Sequence, residues 1–418
     1  MSQALTVDTS NILRVLVINS GSSSIKFSLF DCAPGRNEPR HTLDGDLTGI
    51  GGEAVLELRA PDRTDLSGKL SNIKANTPKE AIHAVLDAVE KARTAPINAV
   101  GYRVVHPGAK LNEHHLVTDE VLRDLEEAAV FAPLHDPEVI TIIRESMARF
   151  PNISHYACFD TVFHETMPEE ATTYPLPSAY REQGARRYGF HGLSCESVVR
   201  QLQKRSRDED LGFPQRMVIA HLGSGCSVTA LLDGRSVDTT MGLTPTGGIV
   251  MATRPGDLDP GLVLYMLRQQ AGDVKAASAA VEKILNELSG IEGLSGMAGG
   301  VKDVCEAAEN GDVRAALAMK VFTRSVKKAI GGFSWLLGGL DAIVFTGGVG
   351  EHDAFTRSEI LSGVDGLGAA LDARPNGAKS PALRRIGAAT AAVTTYVVPS
   401  QENLMIAIHV KQMFRSKQ

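Results

Sequence analysis

Cysteine is scarce. The chain of 418 residues has five, at 32, 158, 195, 226 and 305, and no two of them stand as C-x-x-C. The odd number argues against a disulfide framework and the spacing against a structural zinc site. Reduced thiols in the cytosol are the expectation. No apolar run reaches the length of a membrane span. The opening "MSQALTVDTSNILR" lacks the basic start, apolar stretch and cleavage site of a secretory signal, and residues 1–13 read as a loose tail. Positive charge is not in excess. A net charge of −6 gives no reason to expect nucleic acid or an anionic membrane as partner. Missing too is the P-loop, G-x-x-x-x-G-K-[ST].

The length exceeds what one hydrophobic core supports, so two domains are expected. An apolar content of 43% is globular, and 40 glycines imply many tight turns. "VLVINSGSSSIKFSLFD" (15–31) is an apolar run, a Gly-Ser turn and a lysine. Beyond the turn, Ile25, Phe27 and Leu29 alternate with Lys26 and Ser28, which is strand period. The stretch therefore reads as a hairpin whose turn N–H groups and hydroxyls can face an anion; an ordinary hairpin with a polar turn is the alternative. "VIAHLGSGCSVTALLDG" (218–234) repeats its layout. Gly21, Ser22, Leu29 and Asp31 match Gly223, Ser224, Leu231 and Asp233 at one offset of 202. Duplicated domains, each with such a hairpin, would clamp a nucleotide. "DAIVFTGGVGEHD" (341–353) adds a buried strand and a third glycine turn.

"TPKEAIHAVLDAVEKA" (77–92) predicts a helix with Thr77 as cap and Pro78 in its first turn. "TDEVLRDLEEAAVFA" (118–132) predicts another, and 312–340 a long helix interrupted at Gly331 and Gly332. "INAVGYRVVHPG" (97–108) and "ISHYACFDTVFH" (153–164) read as strands that deliver polar residues at their C-terminal ends.

Taken together, "NSGSSSIKFSLFD", "YRVVHPG", "APLHDP", "CFDTVFHETMP", "RRYGFHGLS", "HLGSGCSV", "VDTTMGLTPTGG", "TRPGDLDP", "FTGGVGE" and "PSQENLMIA" resemble the acetate kinase family, in its order and over nearly the whole chain. That family lies in the superfamily of acetate and sugar kinases, heat-shock chaperones and actin. The resemblance implies an α/β fold of two duplicated ribonuclease H-like domains with an interdomain cleft. The first would take residues 12–162 plus 396–418 and the second 163–395. It also implies Mg²⁺ (or Mn²⁺) with ATP, a short carboxylate as acceptor, and a cytoplasmic homodimer.

Phosphoryl transfer to a carboxylate needs no strong base, because the nucleophile is already an anion. It needs charge neutralisation and in-line placement. By resemblance, Arg103 and Arg254 line the acetate and phosphoryl site, His191 contacts the transferring group, and Asp160 orients an arginine or the metal's water shell. Val105, Leu134 and Pro245 complete the acceptor pocket, with Val105 sharing a strand face with Arg103. Asn19 and Glu402 match the metal ligands. Ser22, Ser24 and Lys26 meet phosphates. His221, Leu222, Gly223, Ser224 and Gly225, then Gly300, Val301 and Lys302, then Gly348, Val349, Gly350, Glu351 and His352 match nucleotide loops. His135 matches a further cleft histidine, while His106, His114, His115 and His164 read as structural.

This chain also departs from the family pattern. Ser224 replaces a usual Asn, Pro107 a Gly, and Gln401-Glu402-Asn403 stands for N-E-E. Gly300 and Lys302 stand where Asp and Arg are common beside the adenosine. Two rival readings follow: a propionate or broader short-chain acid kinase, and a non-kinase ATPase of the superfamily.

Overall fold

A computed structural model describes residues 12–21, 23–61, 67–93, 95–129, 131 and 136–416. The expected tail up to residue 11, together with Ser22, Leu134 and His135, lies outside the described residues. The chain divides into two compact units. One takes the chain up to Val162 and from Gln401 onward, and the other takes Phe163–Ser400.

The first unit is built on an eight-stranded sheet. Its strands are β1 (Leu13–Gly21), β2 (Ser24–Cys32), β3 (Arg40–Thr48), β4 (Ala54–Arg59), β5 (Gly68–Ile73), β6 (Ala99–Val104), β7 (His115–Leu116) and β8 (Ser154–Phe159), in the order β5-β4-β3-β2-β1-β6-β8-β7. β1 and β2 form the expected antiparallel hairpin, with Gly21 opposite Ser24. β1, β6 and β8 run parallel. The residues that follow them in sequence therefore emerge at one sheet end.

Helices cover this sheet. Pro78–Ala92 starts as predicted, with the Thr77 hydroxyl accepting from the Glu80 N–H, and it buries Ile82, Val85, Leu86 and Val89. The helix Asp119–Ala128 ends four residues short of the prediction. The C-terminal helix Glu402–Arg415 lies over Gly101 so closely that a Cβ there would come within 2.7 Å of Ile406 and Val410 methyls. Only glycine permits that approach.

The second unit has a six-stranded sheet. It comprises β9 (Arg216–Leu222), β10 (Cys226–Leu232), β11 (Arg235–Thr239), β12 (Ala342–Thr346), β13 (Arg384–Arg385) and β14 (Thr394–Val397), ordered β11-β10-β9-β12-β14-β13. The internal echo is now explained. In each unit an antiparallel three-strand meander (β3-β2-β1, β11-β10-β9) is continued by two parallel strands (β6-β8, β12-β14). Three expectations need correction. The crossing back to the first unit falls at Gln401 instead of 396, because β14 hydrogen-bonds to β12. The helix Val313–Leu336 runs unbroken through Gly331 and Gly332, since seven buried side chains upstream anchor it. The glycine turn after β12 is instead a short helix, Gly347–His352.

All five cysteines are buried and unbridged. Among the described residues no helix is long and apolar enough to cross a membrane.

Candidate functional site

In the first unit, Asn19 near the end of β1, Arg103 in β6 and Asp160 just past β8 lie on three adjacent strands, and Glu402 opens the C-terminal helix. Sequence separation is no obstacle. Asn19 Nδ2 donates to Glu402 Oε2 at 3.0 Å across 383 positions. Arg103 Nε donates to both Asp160 oxygens at 3.0 Å, and its Nη2 also binds Oδ2. Nη1 reaches Asn19 Oδ1 at 3.4 Å, and Glu402 Oε2 lies 3.9 Å from Nε. Burial works against the guanidinium charge. Asp160 and Glu402 outweigh it, so the Arg103 pKa is raised. Asp160 is fully buried and committed to the arginine, which makes it a positioning carboxylate and a poor base.

Val105 is buried, but β6 stops at Val104, so a shared strand face with Arg103 does not follow. Ser24 opens β2, and Lys26 is exposed on that strand, in register with Asn19.

The sequence reading missed a chain of polar groups behind Asn19. Asn403 Oδ1 accepts from Asn19 Nδ2 at 3.3 Å, Asn403 Nδ2 donates to Ser28 Oγ at 2.8 Å, and that hydroxyl donates to Asp44 at 2.6 Å. The signal available was the exchange of an acid for Asn403 in the N-E-E pattern.

In the second unit the structure gathers His191, His221, Gly225, Arg254 and Pro245. His191 sits at φ 60° as the cap of helix Gly192–Asp208, a conformation unusual for a side chain with Cβ and typical of functional positions. Its Nδ1 pairs with Ser227 Oγ at 2.9 Å. Its ring stacks on His221 with centroids 4.0 Å apart, and His221 Nδ1 pairs with Ser194 Oγ at 2.8 Å. A Cβ on Gly225 would lie 2.8 Å from Arg254 Nη2 and 3.3 Å from His191 Nε2, so these three groups meet. Arg254 Nη1 donates to the Pro245 carbonyl at 2.7 Å. Ser194 and Ser227, which orient the rings, were not foreseen. The signal available for Ser227 was the hairpin itself, which sets it opposite His221 across the β9–β10 pairing.

Next to this set, Leu222 ends β9 and Gly223–Gly225 make the hairpin turn. Gly347, at φ +77°, packs against the Leu222 backbone, where a Cβ would come within 2.7 Å. Glu351 accepts from the Gly347 N–H (3.1 Å) and the Ser400 N–H (2.9 Å). Burial raises its pKa despite these bonds. A Cβ on Gly348 would meet nothing within 4 Å, so this helix offers an open face. Val349 and His352 belong to the same helix. Gly350 is held from behind by Arg357, a fully buried arginine that also grips Asn376. Burial lowers its pKa to about 10. Gly300, Val301 and Lys302 start the helix Gly300–Glu309. The Gly300 N–H donates to Glu292 Oε1 at 2.9 Å, Val301 is buried, and Lys302 is 83% exposed at 4.0 Å from Glu306.

Other histidines carry structural bonds. His164 is held between Ser236 Oγ and the Phe190 carbonyl, each at 2.9 Å, and burial pushes its pKa down to about 4. His106 stacks on Phe131 and accepts the Gly108 N–H.

Two sheets of one repeated topology thus carry an arginine locked to a carboxylate in the first unit and stacked histidines beside a second arginine in the second. The Acetokinase family profile matches residues 14–408. An acetate kinase of Halothermothrix orenii is 37% identical over 94% of this chain and 98% of its own length. The crystal structure of Porphyromonas gingivalis acetate kinase superposes with a TM-score of 0.81 at 31% identity, covering 96% of this chain and 100% of that one. A propionate kinase from Francisella tularensis superposes with a TM-score of 0.82 at 31% identity, over 95% and 98%. The chain belongs to the acetokinase family.

Proposed function

We propose that this protein catalyses reversible transfer of the ATP γ-phosphoryl group to acetate, giving acetyl phosphate and ADP. The observation that carries the reading is Arg103, half-buried and held by both oxygens of Asp160. A fixed guanidinium binds a carboxylate acceptor or a phosphoryl oxygen, and no proton need be removed from acetate. His191 and Arg254 supply further positive or hydrogen-bonding character for the phosphoryl oxygens. Their placement is supported by the Ser227 and Pro245 bonds that orient them. The hairpin turn 221–225 and the helix 348–352 are the nucleotide elements, with Gly300, Val301 and Lys302 beside the adenosine. Ser22, Ser24 and Lys26 serve the phosphates.

Asn19 and Glu402 would hold Mg²⁺: their side chains meet, with Asn19 Nδ2 3.0 Å from Glu402 Oε2, so the carboxylate offers one hard oxygen and the amide a second once it turns its Oδ1 from Arg103, few enough for an ion that keeps most of its waters. When bound, the ion would neutralise charge on the phosphates. Asn19 and Glu402 would hold it next to Arg103, which both of them contact. Unbridged cysteines suit a reducing cytoplasm. Exposed Leu264, Tyr265 and Trp335, the last 90% exposed, support a homodimer.

The structural likeness to a propionate kinase keeps a second reading in view. Trapping the acyl phosphate as hydroxamate across acetate, propionate and butyrate separates the two. Acetate is expected to give the highest kcat/KM. Preference for propionate replaces the first reading with the second, and absence of any acyl phosphate removes both.

A further inference from the structure

The second unit contains a cavity of about 420 Å³ that none of the residues assigned above lines. Its walls are branched aliphatic side chains, among them Ile330, Ile343, Ile360, Leu361 and Val393. The described lining residues include neither an aromatic ring nor a carboxylate. Its volume falls within the range of small-molecule sites, about 300–1,000 Å³.

Two cations border it, and they differ. Arg216 is fully engaged, with Nε and Nη2 on Asp341 and Nη1 on the Gly338 carbonyl. Lys327 is half-buried, and its Nζ contacts only neutral oxygens, the Ser362 carbonyl at 2.9 Å and Ser362 Oγ at 3.3 Å. Among the described residues no carboxylate pairs with it. An apolar cavity with one uncompensated ammonium at its edge is complementary to an amphipathic monoanion. Walls without a ring face suit an alkyl chain better than a flat aromatic body.

We propose that this cavity binds a medium-chain aliphatic monocarboxylate, with its chain among Ile330, Ile343, Ile360 and Leu361 and its carboxylate on Lys327. The site reaches the rest of the unit through helix Ala354–Leu361. Ile360 and Leu361 lie about one turn beyond Arg357, which holds the Gly350 carbonyl at 2.9 Å. Filling the cavity therefore also changes nucleotide affinity. That coupling rests on the nucleotide reading of Gly347–His352, whereas the binding does not.

The test is calorimetric titration of the full chain, free of nucleotide, with hexanoate, heptanoate and octanoate. Each added methylene should tighten binding about fourfold. Lys327→Met should weaken octanoate about tenfold, the scale of one charge-assisted bond. Gly331 lines the cavity on an exposed helix face where a Cβ meets nothing, so Gly331→Phe should fold and abolish binding. Both variants should keep wild-type turnover without octanoate. Octanol binding as tightly as octanoate, undiminished binding by Gly331→Phe, or no heat at any protein concentration because a second copy seals the cavity would each overturn the site. Octanoate that binds but leaves the ADP Kd unchanged would overturn the coupling.

Discussion

Arg103 sits between two carboxylates and an amide, and this arrangement fixes what its replacement should do. Arg103→Ala and Arg254→Ala are expected to lower kcat by about 10³–10⁵, the scale of an arginine on transferring phosphoryl charge, with little change in nucleotide affinity. Arg103→Lys should recover little, because an ammonium lacks the fork that meets both Asp160 oxygens. Kinetics with both substrates varied decide the matter, and losses below tenfold in both alanine variants would remove the assignment. A second residue-scale case is Asp136. It is fully buried at the start of helix Asp136–Arg149; Oδ1 accepts the His106 N–H at 3.4 Å, Oδ2 has no partner among the described residues, and burial pushes its pKa up to about 8. An unfolded aspartate titrates near 4. Below that pH both states hold the proton and nothing is lost. From about pH 4 to 8 only the unfolded state releases it, so this group's contribution to stability falls as pH rises and levels off above 8. Asp136→Asn keeps the acceptor and needs no proton. Its unfolding free energy should pull ahead of wild type between pH 5 and 8, by an amount on the order of a few kcal/mol at pH 8, read by urea titration at each pH. A gap that does not grow with pH would refute this. Legibility at this scale followed the motifs. Arg103, Asp160 and His191 stood out because they fall in segments that resemble the family's, whereas an arginine or histidine alone reads as structural. Ser28, Ser194 and Ser227 did not, because a small hydroxyl shows its purpose only once its partner is known.

Among the elements, the helix Gly300–Glu309 is proposed above to lie beside the adenosine. Its first N–H is capped by Glu292, and Lys302 points into solvent, so the side chains there give little to a base or ribose. Discrimination of ATP over GTP should therefore stay below about tenfold in kcat/KM, or about 1.4 kcal/mol. A hundredfold preference would show that other groups hold the base, and activity with pyrophosphate alone would overturn the nucleotide assignment. The helix Val313–Leu336 teaches a different lesson. Two adjacent glycines predicted a break, yet propensity costs only about 1 kcal/mol per glycine, and burial of Phe322, Val326 and Ile330 outweighs it. A Cβ on Gly332 meets nothing, so Gly332→Ala should stabilise the protein by about 0.5–1 kcal/mol in urea titration. The helix after β12 was misread as a turn for the same reason: glycine content marks a special backbone without naming which one.

For the whole molecule, the repeat at offset 202 pointed to a duplication from the residues alone, because four positions of the two hairpins are identical at one spacing. The return point at Gln401 was hidden. "TTYVVPS" reads as an apolar strand, and nothing in a strand's composition says which sheet it will join; the pairing of Thr394–Val397 with β12 does. The first unit is thus closed by a helix from the far end of the chain, seated on Gly101. That seat can be tested. Gly101→Val would place its Cβ within about van der Waals overlap of the Ile406 and Val410 methyls, 2.7 Å away, and overpacking of this kind costs about 1–3 kcal/mol. Because the contact lies inside the first unit, the cost should fall there. Amide hydrogen exchange should speed up in β1, β6, β8 and Glu402–Arg415. Protection in β9, β10, β12 and Val313–Leu336 should stay at the wild-type level, as expected for separate cooperative bodies. Magnesium dependence supplies the functional side of the same test. Glu402 rides on the displaced helix, so the magnesium concentration for half-maximal activity should rise in Gly101→Val, as it also should in Glu402→Gln, which removes the carboxylate charge proposed to hold the ion, while the helix Gly347–His352 stays protected. Equal loss of protection in both units would mean that the chain unfolds as one body and that its division into two units is only geometric.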